Sequence, residues 1–169
     1  YYKEAFELLR GAELLVTDGE QKSGKTMPDL RFRINKERLQ MYINLKNPAR
    51  AKEQLVKLEE TAKAAKNDSL NNDLLYTQAN YYYTFGMNSQ GDAYINRLIS
   101  QYGTEIELVL SNNDEMALGA VEAYRKAGYA REDWPVIFGI DGLEEALEAV
   151  KAGEMQGSIL NDRVDQAKE

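Results

Sequence analysis

With 169 residues, 43% of them apolar and 29% charged, the chain has room for one ordinary domain or two small ones and the composition of a soluble globular protein rather than a disordered one. It contains no cysteine and no histidine, which excludes disulfides, thiol chemistry, triads with a histidine base and most zinc sites, and leaves carboxylates, hydroxyls and amides. The formal charge of -7 argues against nucleic acid as a partner, because that binding depends on Lys and Arg neutralising phosphates. No apolar run approaches the roughly 20 residues of a membrane span. No basic, apolar, small-residue leader opens the chain, which begins inside a helical pattern, so the compartment has to be read from other features.

In chain order, Ala5, Leu8, Leu9, Ala12 and Leu15 recur at three- and four-residue spacing and predict a first helix. A segment from Leu39 to Leu45 and a face of Ala51, Leu55, Leu58 and Ala62 predict two more, separated by a break at Asn47-Pro48. Asn67, Asp68 and Ser69 offer an N-cap for the next helix, and Leu74 to Phe85 and Asp92 to Tyr102 form a second helical pair. Tyr81, Tyr82 and Tyr83 follow one another on a helix, about 100° apart, so they form no single stacking platform, and one or two of them are expected to fill the groove between hairpins.

The period then changes. Ile106, Leu108, Val109 and Leu110 make a short apolar run that predicts a strand, and Met116 to Tyr124 follows helical spacing. Val136 to Ile140 is a second buried run, Leu143 to Lys151 is amphipathic, and Gly157 to Leu160 is a third strand. Through Gly103 the chain carries 15 basic and 13 acidic residues, whereas Thr104 to Glu169 carries 6 and 15, a change from +2 to -9. The expected fold class is therefore α plus α/β, with all-helical, repeat-like hairpins over 1–103 and a small β-α-β-α-β parallel-sheet unit over 104–169. Such crossovers are right-handed, and ligands of such sheets sit beyond the carboxyl ends of the strands. Those ends are Asn112-Asn113-Asp114, Asp141-Gly142 and Asn161-Asp162.

Two resemblances add to this reading. From about Phe32 to Tyr102 the pattern resembles tetratricopeptide-type helical hairpins, with an offset nearer forty residues than the usual 34, and more loosely the helical sensor regions of bacterial signalling proteins. Residues 106 to 168 resemble the last third of periplasmic sugar-binding proteins of the galactose/glucose-binding type. The likeness is carried by Leu110-Ser111-Asn112-Asn113-Asp114-Glu115-Met116-Ala117-Leu118-Gly119-Ala120-Val121-Glu122-Ala123, by Phe138-Gly139-Ile140-Asp141-Gly142 and by Gly157-Ser158-Ile159-Leu160-Asn161-Asp162. It implies that Asn113, Asp141 and Asn161 are sugar ligands, Asp141 accepting from two hydroxyls and the asparagines both donating and accepting. The plainer alternative is that the asparagines cap helices and Asp141 closes a turn. Glu107 matches a position that sends a carboxylate to calcium in that family, but the acidic loop supplying the other ligands has no counterpart, so no complete calcium site is expected. The family's first lobe and the aromatic residues that sandwich the sugar ring also have no counterpart, and Trp134, in the loop before the second strand, does not replace them.

Gly19-Glu20-Gln21-Lys22-Ser23-Gly24-Lys25-Thr26 matches the phosphate-cradling P-loop pattern literally, but the stretch before it reads as helix rather than strand, and Pro28 follows closely. The leading expectation is a non-enzymatic binding or sensing protein of the bacterial cell envelope, periplasmic or extracytoplasmic. It needs no cofactor, takes a monosaccharide weakly, and meets a protein partner through its helical unit or associates with itself. Two alternatives stand beside it: a helical interaction module whose second unit is structural only, and a P-loop nucleotide binder. The abrupt change at Gly103-Thr104 also raises an artificial junction there.

Overall fold

The computed structural model describes residues 1–160, and these fold as two compact units, Tyr1–Tyr81 and the part that begins at Tyr82. The first holds helices α1 (Tyr2–Ser23), α2 (Pro28–Asn44) and α3 (Pro48–Ala65) and most of α4 (Asp68–Thr84). Pro28 and Pro48 stand in the first turns of their helices, where a missing N–H costs nothing. Asn47 accepts from the Arg50 N–H at 3.1 Å and Asn67 from the Ser69 N–H at 3.0 Å, so the predicted break and the predicted cap both start helices through their side chains. Phe32, Leu39, Ile43, Ala51, Leu55, Leu58 and Ala62 are buried between these helices.

Polar pairs fix the register of this unit. Lys36 meets Asp73 at 2.6 Å, Asn80 donates to Gln40 at 3.1 Å, and Gln78 donates to Glu59 at 2.8 Å. Glu20 receives the Arg31 guanidinium and, at 2.7 Å, the Met27 N–H, closing the α1–α2 turn. First Arg31 and then the Met27 N–H hold the Glu20 carboxyl below the usual carboxylate range.

The second unit contains α5 (Asn88–Tyr102), β1 (Leu108–Leu110), α6 (Asp114–Ala127), β2 (Val136–Ile140), α7 (Glu144–Lys151) and β3 (Gly157–Ile159). The strands run parallel in the order β1-β2-β3, with Leu110 opposite Phe138 and Ile140 opposite Ile159, so the β-α-β-α-β expectation holds. Ala117 and Val121 of α6, Ala146 and Ala149 of α7, Ile137 of β2 and Met155 form one buried cluster, which puts both helices on the same face of the sheet. The other face is apolar and open: Leu108 is 56%, Leu110 59% and Ile159 57% exposed. The compact units divide between Tyr81 and Tyr82, whereas the composition changes near Gly103, so α5 lies on the sheet's side of the former.

A buried carboxylate ties the strand ends together. Asp114, the first residue of α6, is fully buried; it accepts from the Leu143 N–H at 2.7 Å and from the Ser158 hydroxyl at 2.7 Å. The Ser158 hydroxyl in turn accepts from the Gly142 N–H at 3.0 Å. One side chain thereby joins the segments after β1 and β2 to β3, and its charge sits at the N-terminus of α7, where the helix dipole favours it. Gly139 makes this possible, because a Cβ there would lie 2.1 Å from the Asp114 Oδ1.

Two outcomes test these interactions. Gly139→Ala should cost about 2 to 4 kcal/mol, since either the strand or the carboxylate must move and leave buried donors unmet; urea unfolding measures it, and wild-type stability would show the clamp to be loose. Because the Glu20 carboxyl titrates lower when folded than when unfolded, its contribution is complete above the ordinary carboxyl value near 4.3 and is lost as pH falls through the lowered one. Glu20→Gln should therefore lower thermal stability at neutral pH, match wild type in strong acid, and flatten the acid limb between.

Candidate ligand-binding site

The carboxyl ends of three parallel strands meet at one rim, and two of the three predicted ligands can be placed there. Asn113 follows β1 in extended conformation, φ -155°, as the N-cap of α6; its Oδ1 accepts from the Met116 N–H at 2.9 Å. That bond uses one lone pair and leaves the amide group's two donors for other partners. Asn113 thus does serve as a cap, and the capping fixes the plane in which its amide is presented.

Asp141 follows β2, the central strand, and its N–H donates to the Ile159 carbonyl at 2.9 Å, extending the β2–β3 ladder by one bond. Its φ is 118°, a region that residues with a side chain rarely adopt, and Gly142 follows at φ 72°. Such a conformation costs on the order of 1–3 kcal/mol and persists only where its surroundings enforce it. Here the enforcing contacts are the ladder bond before and the Gly142 N–H to Ser158 bond after. Asn113 and Asp141 thus stand at the ends of neighbouring strands, whose spacing in a sheet is about 4.8 Å. Asn161 lies outside the described residues.

The polar run after β1 divides in a way that its sequence does not announce. Asn112 is exposed, Asn113 half-buried and Asp114 fully buried as the clamp described above. An acidic residue in a first helical turn ordinarily faces water, and the partners that reveal Asp114 lie as far as 44 residues on. Ser111 is also buried, and its hydroxyl meets no hydrogen-bond partner among the described residues.

Other candidates from the sequence have structural roles. Trp134 packs in the second unit's core: its indole N–H donates to the Tyr129 carbonyl at 3.1 Å, and the Arg131 guanidinium lies 4.5 Å from its ring centre. Tyr81 and Tyr83 are buried, and Tyr82 stacks on Tyr94 with ring centres 5.4 Å apart, so the three tyrosines point apart as expected. Burial and then the hydrogen bond to Asp92 push the Tyr83 hydroxyl far above its ordinary range. No group of three or more metal-ligating side chains comes together among the described residues.

The literal P-loop match is corrected by the fold. Gly19 to Ser23 is the last part of α1, which continues past the predicted Leu15, and Gly24, at φ 66°, closes it with its N–H donating to the Glu20 carbonyl at 2.9 Å. A phosphate cradle requires free N–H groups in a loop after a strand, and here they belong to a helix.

Comparisons with known proteins agree with the strand-end motif. The family described as periplasmic binding protein domain matches residues 49–169, well over half of the chain. The D-galactose/methyl-galactoside binding periplasmic protein of Haemophilus influenzae is 48% identical over 71 residues, 42% of this chain and 20% of that protein. A protein of Rhizobium meliloti named for rhizopine binding is 47% identical over 66 residues, 39% of this chain and 21% of its own. The xylitol-binding protein of Mycolicibacterium smegmatis is 40% identical over 78 residues, 44% of this chain and 22% of its own. The chain thus spans about a fifth of the length of the curated relatives it matches. No solved structure gives a significant match. Residues 106 to 168, read above as a segment of a sugar-binding lobe, fall inside the matched region, and the chain belongs to the periplasmic binding protein domain family.

Proposed function

We propose that this chain binds a monosaccharide or similar polyol at the strand-end rim, with Asn113, Asp141 and Asn161 as its ligands, as part of a non-enzymatic, extracytoplasmic binding protein. The observation that carries the reading is Asp141, a side-chain-bearing residue held at φ 118° at the end of the central strand, beside an asparagine whose amide is fixed by capping. A glycine would occupy that backbone without strain, so keeping an aspartate there fits a role for its carboxylate. Carboxylate and amide groups on adjacent strand ends suit vicinal hydroxyls, which donate and accept together. The relatives support the same chemistry, being named for galactose, rhizopine and xylitol.

The helical unit is read as a scaffold for protein contact, in the manner of paired helical hairpins, through a partner protein or a second copy of the chain. The periplasm is the compartment that the family resemblance favours.

Two or three polar groups on one rim support only weak affinity, and a millimolar constant corresponds to about -4 kcal/mol. Adding galactose at tens of millimolar should shift the backbone amide signals of Asn113 and Asp141 in NMR spectra. Asp141→Gly should abolish that response while leaving the protein at least as stable as wild type, because it relieves the strained φ. A response that survives Asp141→Gly undiminished, or micromolar affinity from a monomer, would rule out this site as described.

A further inference from the structure

We infer that α1 is the contact helix of an antiparallel dimer of this chain, which rests on the reading of the helical unit as a scaffold for protein contact. One side of α1 faces α2: Val16 is buried there, the Phe6 and Tyr42 ring centres are 4.9 Å apart, and Glu13 and Glu20 pair with Arg38 and Arg31. A different side carries Tyr1, Leu8 and Leu15, spaced by seven residues and therefore nearly in line. Leu8 is 77% and Leu15 74% exposed, so both hold most of their side chain in water.

Beside this column, about 40° around the helix, lie the half-buried Ala5 and Ala12 at the same spacing, while the place of a Cβ on Gly19, next in that line, is met by Met27 at 3.3 Å. Gly11 lies on the opposite flank, with nothing within 4 Å of where its Cβ would be. In an antiparallel pair whose facing residue numbers sum to 20, Leu8 lies over Ala12 of the second copy and Leu15 over Ala5. Each leucine then meets an alanine, and each pairing occurs twice, as a two-fold interface demands. A foreign helix would have to reproduce both columns, whereas a second copy supplies them already. Antiparallel packing also sets the two helix dipoles in opposition.

The area suits a reversible dimer. α1 has 22 residues, about 33 Å of helix, and a strip of that length on each copy buries on the order of 1,000 Å² in total, the lower limit for specific association.

Sedimentation velocity on the full chain, from about 1 to 100 μM, reads the mass. Wild type should pass from monomer to dimer, and Leu8→Lys and Leu15→Lys should each raise the dissociation constant by about tenfold or more at unchanged helical circular dichroism. Because the chain has no cysteine, mild oxidation of a Leu8→Cys/Ala12→Cys variant should give a covalent dimer. Leu15→Cys alone should not, since its two copies would lie about 15 Å apart along the axis. A chain monomeric at every concentration overturns the dimer and leaves the scaffold reading standing with a different partner. A dimer dispersed by Leu110→Lys but not by Leu8→Lys places the contact on the open sheet face and overturns both.

Discussion

The second unit depends on one buried carboxylate. Asp114 cannot be removed from water without compensation, since an unpaired buried charge costs several kcal/mol. Its compensation comes from the Leu143 N–H and the Ser158 hydroxyl, which belong to segments that local interactions would not otherwise hold together. Meeting the needs of one group therefore fixes where β2 hands over to α7 and where β3 lies beside it. The same bonds define the position of Asp141, two residues before Leu143 and one before Gly142. The rim's geometry is thus set from beneath, by a fully buried residue.

This arrangement has a counterpart on the α5 side. Tyr83 packs its ring where a Cβ on Gly91 would lie, sets its hydroxyl against Gly119, and donates to Asp92. Tyr124 donates to the Gly103 carbonyl at 2.8 Å. These contacts run across the change in composition near Gly103 and explain why α5 packs with α6 although its own composition resembles the helices before it. The change in charge reports the surface, whereas packing follows the buried tyrosines and the small residues that let helices approach.

Much of the fold was legible because its signals are local. A continuous apolar run located β2 to the residue, period-3.6 patterns located the helices among the second unit's described residues, and Asn47 and Asn67 announced helix starts by side-chain chemistry that acts over two or three residues. The extent of α1 was less legible, since Gly19, Ser23 and Gly24 read equally as loop, and the helix runs to Ser23 with Glu20 bound to the Met27 N–H and Arg31 and with Gly24 capping its end. Asp114 was not legible at all: as an acidic residue in a first turn it looks solvated, and its partners are far along the chain. The positive φ of Asp141 was hidden for a related reason, because backbone strain is imposed by neighbours and leaves no mark on the residue type.

The open sheet face and the α1 stripe raise the same physical question, since each leaves large apolar side chains in water, yet they differ in what would cover them. Leu108, Leu110 and Ile159 lie on one face of a parallel sheet, and such sheets take helices on both faces, so any amphipathic helix of sufficient length would serve. The stripe on α1 is more selective. Its leucines alternate in register with a column of small residues on the same helix, and that complementarity discriminates between partners where flat hydrophobic area does not. Exposed apolar area alone gives stickiness; a matched pair of columns gives orientation and stoichiometry as well. For this reason the more open surface is the weaker guide to a specific partner, and the narrower one the stronger.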